Sequence, residues 1–307
     1  MIFKSQNTFK YLFIIKNTFK SNLIYLLVLG TLIFSCTQVF YQPDRYLYVP
    51  PEKIKLNYKN IYYSSLDNTR LHAWYFPSRK GDNKNKAKNL IVLFHGNAQN
   101  LSSHYLNISW MTDFGFDVFV WDYRGYGLSQ GEAESEGIYK DAIATLDYTT
   151  KLFLEKKYKN FYIIGQSLGG SIILKTLSDY PLRWPITTLV IDSSFSSYRN
   201  IAKEKLSSFW PTFLFSPLTP LLISDKYSSF DELGNIKTPA LVIHSKNDKV
   251  IPYSFGLEIY NKIGSSDKKL WVVEKAPHIG ILGHHQESNK GIFIEYLKEL
   301  SHKKGKK

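Results

Sequence analysis

A serine between glycines has the spacing of a nucleophile on a tight turn. Residues 165–170 read Gly-Gln-Ser-Leu-Gly-Gly and follow an apolar run that ends at Ile164. When a strand turns sharply into a helix, only small residues fit two positions before and two positions after the serine. The hydroxyl then lies beside free helix amides, which favour negative charge. The motif therefore predicts Ser167 as a nucleophile for acyl-transfer chemistry.

A serine hydroxyl is a weak nucleophile that needs a base and a carboxylate to orient that base. Two later apolar runs, each read as a strand, are followed by loops that contain Asp248 and His278. The carboxyl ends of parallel strands meet at one edge of a sheet, so we expect both side chains to lie near Ser167. Asp192 also ends an apolar run and is the alternative to Asp248 as the orienting carboxylate.

A tetrahedral oxyanion needs two backbone amides as donors. The amide of Leu168, directly after the serine, is the first candidate. The second is the amide of Asn97, in the turn His95-Gly96-Asn97-Ala98 that follows an earlier apolar run. Gly96 allows the chain to come close to a reacting carbonyl, and His95 is interpreted as a residue that holds this turn rather than as the base.

Short apolar runs alternate with longer amphipathic segments along most of the chain, which is typical of βαβ units. The predicted strands are Ile61–Ser64, Leu71–Phe76, Asn89–Phe94, Asp117–Trp121, Phe161–Ile164, Thr187–Ile191, Ala240–His244 and Leu270–Val273. The predicted helices are Leu101–Thr112, Glu134–Lys156, Gly170–Asp179, Phe255–Ile263 and Lys290–Leu300. The first two strands, joined by a turn at Asp67-Asn68, are predicted to form a hairpin at the edge of the sheet.

This alternation predicts one α/β domain over residues 58–307, with a mostly parallel eight-stranded sheet and helices on both faces. Residues 193–237 depart from the pattern, because they contain an apolar run interrupted by Pro211, Pro217 and Pro220. Proline cannot continue a regular helix, so this insertion is interpreted as a small cap above the strand ends. An extra helix pair packed on the core is the alternative.

Taken together, the motifs resemble those of α/β-hydrolase-fold serine hydrolases. The motifs are HGNAQN, DYRGYGLS from Asp122 to Ser129, GQSLGG, KNDKVIP and APHIG, in that order along the chain. Within that group, the combination of HGNA and DYRGYG is similar to membrane-associated esterase-like and depalmitoylase-like members. The resemblance implies a triad of Ser167, Asp248 and His278. Tyr123, Arg124 and Tyr126 are predicted either to hold the DYRGYG turn or to contact substrate.

Charge and composition argue against several other functions. The 307 residues contain 39 Lys and Arg against 26 Asp and Glu. Most of this excess lies at the two ends and in residues 79–88, without the interleaved basic and aromatic stripe of a nucleic-acid-binding protein. No nucleotide-binding glycine motif follows a strand, so no cofactor is predicted. His284, His285 and Glu287 do not have the spacing of a zinc motif, so no metal is predicted.

Residues 1–35 are predicted to be a signal or anchor segment. Lys4, Lys10, Lys16 and Lys20 occur there without any acidic residue, and the mostly apolar run 23–35 ends at Cys36. This order predicts secretion, and residues 32–36 resemble a bacterial lipoprotein box with Cys36 as the lipidation candidate. An uncleaved anchor and a cleaved signal or buried helix are the alternatives. Residues 36–57 are read as a connector, and the predicted location is the bacterial cell envelope, attached to the membrane.

These observations predict a serine hydrolase that cleaves a carboxylic ester or thioester through an acyl-enzyme. Its substrate is expected to be a small-molecule or lipid-like acyl ester, and its membrane contact is expected through the N-terminal segment. An aminopeptidase-like amidase on the same fold is one alternative, since a triad does not distinguish an amide from an ester. A non-catalytic surface lipoprotein that keeps the fold as a scaffold is the other.

Overall fold

The computed structural model describes residues 40–80, 89–208, 210–283 and 287–304. The predicted signal or anchor segment, Cys36, His284 and His285 lie outside the described residues. The connector is described from Phe40 onward, and it includes a 3₁₀-helix at Pro51–Ile54.

Eight strands and seven α-helices make up the described part of the chain. The strands are β1 Lys59–Ser64, β2 Arg70–Phe76, β3 Asn89–Phe94, β4 Phe116–Asp122, β5 Asn160–Gln166, β6 Thr188–Asp192, β7 Ala240–Ser245 and β8 Lys268–Val273. The helices are α1 Leu101–His104, α2 Ser135–Glu155, α3 Leu168–Asp179, α4 Tyr198–Ser208, α5 Thr219–Leu222, α6 Tyr253–Lys262 and α7 Glu287–Lys304.

The strands form one sheet in the order β1-β2-β4-β3-β5-β6-β7-β8. The β1–β2 and β2–β4 pairs are antiparallel, and every other pair is parallel. The predicted edge hairpin and mostly parallel α/β sheet are therefore confirmed. Because the strands from β3 onward all point the same way, the loops after β3, β5, β6, β7 and β8 meet at one edge, called here the carboxyl edge.

Both faces of the sheet are covered, as its continuous apolar strands require. Every residue of β4 and β6 is buried, and all but the first residue of β3 and β5 are buried. Alternate side chains of the central strands point into two separate cores. In β3, for example, Leu90 and Val92 belong to one core, and Ile91 and Leu93 belong to the other. This rigid sheet is what positions the loops of the carboxyl edge.

The predicted single helix Leu101–Thr112 is wrong. The chain instead forms α1 and two 3₁₀-helices, Tyr105–Asn107 and Ser109–Phe114, with a break at Ile108, where φ is −128°. The run is buried on several sides at once, because Tyr105, Met111 and Thr112 are all fully covered. A long regular helix has one buried stripe, so this all-round burial favours short, tightly turned pieces.

Residues 193–237 project from the carboxyl edge as α4, a 3₁₀-helix at Phe213–Leu218, α5 and a 3₁₀-helix at Leu233–Asn235. The base of this insertion is closed by hydrogen bonds between its two ends: the Ser229 amide donates to the Ser196 carbonyl, and the Tyr198 amide donates to Ser228 Oγ. The insertion therefore starts and ends at nearly the same point above the sheet.

In the part of the chain that the structure describes, no helix has both the length and the apolar character needed to cross a membrane.

A buried ion pair links the DYRGYG turn to the core. The Arg124 guanidinium donates to both oxygens of Asp141, whose side chain is fully covered, and to Asp67 at the hairpin turn. The Arg124 amide also donates to Asp141. Leaving a buried carboxylate without its cation costs far more free energy of unfolding than breaking an ion pair at the surface.

We predict that Arg124→Ala lowers the free energy of unfolding by about 3–5 kcal/mol, since Asp141 would be left buried and without its cation. Arg79→Ala is the matched control, because the Arg79–Asp113 pair is about half exposed and should contribute about 1 kcal/mol or less. Urea unfolding followed by tryptophan fluorescence measures both. Equal losses for the two variants would contradict the structural role of Arg124.

Candidate active site

Ser167 lies at the turn between β5 and α3 in a backbone conformation that only close packing can hold. Its φ is 53° and its ψ is −119°, a combination rare for a residue with a side chain. The Ser167 amide donates to the Asp192 carbonyl, and the Ser167 carbonyl accepts from Ser194 Oγ. A Cβ on Gly169 would stand 2.1 Å from the Phe94 carbonyl oxygen, and one on Gly165 would stand 2.6 Å from the Gly170 Cα. The glycines are thus required by contact, as the motif predicts.

The structure brings the three predicted polar residues together. Ser167 Oγ lies 2.9 Å from His278 Nε2, and His278 Nδ1 lies 2.8 Å from Asp248 Oδ2. The imidazole is 16% exposed, while the Asp248 carboxylate is fully covered. The three groups are arranged as hydroxyl, imidazole and buried carboxylate, with each distance in the range of a hydrogen bond.

The surroundings of Asp248 favour its charged form. Burial is the largest single effect and acts against ionisation, but the partners of Asp248, led by the hydrogen bond and charge of His278, together outweigh it, so the pKa of Asp248 lies below its ordinary value. The amides of Val250 and Ile251 donate to the other oxygen, Oδ1, and lower the pKa further. An ionised Asp248 accepts from His278 Nδ1–H, which leaves Nε2 free to receive a proton from Ser167.

The alternative carboxylate, Asp192, has different partners. Its oxygens accept from Gln166 Nε2 and Ser193 Oγ, at 3.0 Å each. Burial raises the pKa of Asp192 above its ordinary value, so the site disfavours a charge there. Its backbone carbonyl holds the Ser167 amide. Asp192 therefore braces the serine turn, while Asp248 carries the hydrogen bond to His278.

The two amides predicted to bind an oxyanion belong to Leu168, which directly follows Ser167, and to Asn97, in the loop after β3. Leu168 is the first residue of α3, where helix amides have no partner within the helix. Asn97 follows Gly96, and a Cβ on Gly96 would stand 3.5 Å from the Ser167 Cβ. The Asn97 side chain is also held in place, because its Oδ1 accepts from Tyr126 Oη and from the Gln42 amide, both at 2.9 Å.

A buried carboxylate that the sequence analysis did not single out lies beneath the Asn97 loop. Asp122, the last residue of β4, accepts from the Leu101 amide at 2.7 Å and lies 3.3 Å from His95 Nε2. Burial works against its charge, but His72, His95 and the Leu101 amide together hold the pKa of Asp122 below its ordinary value. One ionised carboxylate thus attracts both ends of the loop from His95 to Leu101.

Two further side chains fix His95 in place. Tyr123 Oη donates to the His95 carbonyl at 2.8 Å. The ring of His104 stacks on the His95 ring with 5.0 Å between centroids, and burial lowers the pKa of His104 to about 3. His104 is therefore neutral at physiological pH, and its Nε2 lies 3.2 Å from the Ala98 carbonyl.

The residues of the DYRGYG turn serve the structure of the site. Tyr123 and Tyr126 are fully buried, and Arg124 is nearly so. Their polar atoms contact the His95 carbonyl, Asn97 and Asp141. The sequence left open whether these residues hold the turn or contact substrate. The contacts seen here are those of residues that hold the turn. Neither composition nor periodicity indicates a role for Asp122. The feature of the sequence that could have indicated one is its position as an acid at the end of a largely apolar strand.

Ser245 and His244, at the end of β7, are further residues that the sequence analysis missed. Ser245 Oγ accepts from the amides of Ala276 and Asn247, so one hydroxyl ties the His278 loop to the Asp248 loop. His244 is fully buried, and its Nε2 lies 2.9 Å from the Ile251 carbonyl and 3.6 Å from Asp248 Oδ2. Through these contacts, both residues help to fix the distance between Asp248 and His278.

Across residues 40–80, 89–208, 210–283 and 287–304, no three His, Cys, Asp or Glu side chains are grouped so that they could hold a metal ion.

The fold and the site define the class of this protein, which is that of the α/β hydrolases. The chain is similar to the Pyrococcus furiosus esterase Pf2001, with a TM-score of 0.66 and 20% identity over 84% of this chain and 98% of the esterase. An esterase from Exiguobacterium antarcticum has a TM-score of 0.56 and 18% identity, covering 78% of this chain and all of that one. At these identities the likeness establishes the fold.

Sequence comparison narrows the class to a family. The family model described as serine aminopeptidase, S33, matches residues 85–230. The uncharacterized protein YfhR of Escherichia coli O157:H7 is 30% identical over 241 residues, covering 78% of this chain and 79% of YfhR. Human alpha/beta hydrolase domain-containing protein 17B is 28% identical over 221 residues, covering 70% of this chain and 66% of that protein. The chain belongs to the α/β-hydrolase family that includes YfhR, and these matches support a hydrolase.

The depressed pKa of Asp248 predicts how stability depends on pH. A carboxyl whose pKa is lowered by folding stabilises the protein above its ordinary pKa of 3.8, and this contribution is lost as the pH falls through the lower, folded value. We expect the wild type to lose stability faster than Asp248→Asn below about pH 4, by up to about 1.4 kcal/mol per pH unit. Urea unfolding between neutral and acidic pH measures the difference, and parallel curves would contradict it.

Proposed function

We propose that the protein is a serine hydrolase that cleaves a carboxylic ester or thioester through an acyl-enzyme intermediate. The observation that carries this proposal is the hydrogen-bonded chain from Ser167 Oγ through His278 to the covered carboxylate of Asp248. In this proposal Ser167 is the nucleophile, His278 is the general base and acid, and Asp248 holds the imidazole tautomer.

In the first half-reaction, Ser167 Oγ attacks the acyl carbon while its proton passes to His278 Nε2. The carbonyl oxygen becomes an oxyanion, which the amides of Asn97 and Leu168 stabilise. When the tetrahedral intermediate collapses, the bond to the alcohol or thiol breaks and the leaving group takes the proton from His278. The acyl group remains on Ser167 as an ester.

In the second half-reaction, a water molecule attacks the acyl carbon and gives its proton to His278 Nε2. Collapse of the second tetrahedral intermediate breaks the bond to Ser167 and releases the carboxylic acid. The proton on His278 returns to Ser167 Oγ, which restores the starting state. The positive charge that His278 carries in both half-reactions lies 2.8 Å from the Asp248 carboxylate, so the same ion pair stabilises both.

An amidase is the second candidate, and the match to a family model described as serine aminopeptidase favours it. The triad chemistry is the same for an amide, except that His278 must protonate an amine leaving group.

For the ester, we propose a lipophilic acyl chain, because the insertion above the site is rich in exposed apolar residues. This proposal agrees with the resemblance to membrane-associated esterase-like and depalmitoylase-like proteins.

A fluorophosphonate probe should label the wild type at Ser167 and should not label Ser167→Ala. Ester hydrolysis by Ser167→Ala should fall by at least about 10⁴-fold, since the nucleophile is absent. Ser178→Ala is the control, because Ser178 is also buried in α3 but donates only to the Lys175 carbonyl, away from the site. It should keep both labelling and activity. Unlabelled wild type would reject the proposal and favour the scaffold alternative, and a labelled Ser167→Ala variant would reject Ser167 as the nucleophile.

Substrate class is tested with p-nitrophenyl esters of increasing acyl length beside aminoacyl p-nitroanilides and an acyl thioester. We expect kcat/KM to rise from short to medium acyl chains by about tenfold for every two added methylenes that become buried. The anilides should react at least about 100-fold more slowly than the best ester. Faster cleavage of the anilides would instead identify the amidase.

A further inference from the structure

One stretch of the insertion is unusually apolar for a surface. Residues 206–224 contain no charged side chain, although 21% of the whole chain is charged. Among the described residues of this stretch, six large apolar side chains are exposed, and we call them the cap face: Trp210, Phe213, Leu214, Phe215, Leu218 and Leu221. Single exposed leucines are common on soluble proteins, but a cluster of this kind marks a surface that binds something apolar.

The cap face is not covered by the rest of the described domain. Of the described residues in 206–224, Ser216 and Thr219 are the buried ones, and Thr219 Oγ1 donates to the Ser216 carbonyl. This segment therefore buries two small polar residues and exposes its large apolar side chains. Trp210 is 81% exposed, Leu221 is 75% exposed and Leu214 is 71% exposed, so these side chains make few contacts with the rest of the protein.

The chain enters the described domain beside this insertion. The ring of Phe40, the first described residue, packs edge-on against Tyr198, the first residue of α4, with 5.0 Å between centroids. Tyr41 Oη also lies 3.4 Å from Tyr198 Oη. The residues that precede Phe40 include the apolar run 23–35 and four lysines without an acid. The N-terminal segment predicted to attach the protein to a membrane is thus joined to the domain at the base of the insertion.

Charge near the cap face has the sign that suits an anionic bilayer. Residues 199–226 contain four basic residues against two acids, Glu204 and Asp225. Lys203 and Lys205 are exposed on α4, and Lys226, which lies 3.9 Å from Glu136, is exposed where the insertion returns. Lysines at the margin of an apolar surface are attracted to anionic headgroups, while Trp and Phe enter the boundary between headgroups and acyl chains.

From these four observations we infer that the cap face binds the surface of a lipid bilayer that contains anionic lipid. The exposed apolar side chains enter the interface, the lysines contact the headgroups, and the N-terminal segment joins the domain from the same side. A protein partner would use hydrogen bonds and charges to set its orientation, whereas residues 206–224 offer no charge. This inference concerns membrane contact and does not depend on the chemistry proposed for Ser167.

The position of the insertion bears on how a substrate reaches the site. The insertion begins directly after β6, and Ser194, near its start, donates to the Ser167 carbonyl. A bilayer against the cap face would therefore lie on the carboxyl-edge side of the sheet, the side on which Ser167 and His278 stand. An acyl chain leaving the bilayer would reach this edge without crossing the sheet.

The test places an environment-sensitive fluorophore on the full-length chain at Leu214→Cys and, as a matched control, at Leu182→Cys. Leu182 is 84% exposed but lies between α3 and β6, at the opposite edge of the sheet. The wild type, labelled in the same way, supplies the background from Cys36. Each protein is mixed with vesicles of phosphatidylcholine containing a minority of phosphatidylglycerol, with and without doxyl-labelled lipid.

The label at position 214 should shift to shorter emission wavelength with vesicles and be quenched by doxyl lipid at least about threefold more strongly than the label at position 182. Equal quenching at the two positions, or quenching at neither, would overturn the inference. So would a label at position 214 that is already shifted without lipid and is insensitive to doxyl lipid, since another protein surface would then cover the cap face.

Discussion

The close approach of α3 to β3 and β5 is the constraint on which the rest of the site depends. Ser167 keeps a positive φ of 53° because the chain must reverse within a single residue between β5 and α3. Such a conformation costs about 1–3 kcal/mol and persists only when surrounding contacts over-determine it. Here those contacts are the Asp192 carbonyl on the Ser167 amide and Ser194 Oγ on the Ser167 carbonyl. The same geometry holds the serine hydroxyl at the free amino end of a helix.

Each partner of Ser167 is held by a second layer of buried polar contacts. Asp248 is set by the amides of Val250 and Ile251, and its loop is tied to the His278 loop by Ser245. On the other side, Asp122 attracts both His95 and the Leu101 amide. Two ionised carboxylates therefore position two loops, and in each case hydrogen bonds and nearby histidines outweigh the unfavourable effect of burial on the charge.

The insertion differs from the sheet in what its residues contact. In β4 and β6 every apolar side chain is buried, whereas between residues 210 and 221 the large apolar side chains are mostly exposed. The hydrophobic effect folds the sheet, because both of its faces are covered, and it leaves the cap face available for an apolar surface outside the domain. The sheet thus holds Ser167 rigidly, and the insertion presents an exposed apolar surface at the same edge of the sheet.

The sequence by itself determined the α/β class, the eight strands within a few residues, the serine elbow and the order of Ser167, Asp248 and His278, because these depend on local periodicity and on sterically required glycines. It could not determine the break at Ile108, the roles of Asp122, His244 and Ser245, or the partners of Asp192. Those depend on which side chains meet across the sheet, at sequence separations such as the 30 residues between Asp248 and His278. Only the tertiary structure decided that Asp248, rather than Asp192, faces the imidazole, because burial and hydrogen bonding differ between Asp192 at the end of β6 and Asp248 in the loop after β7.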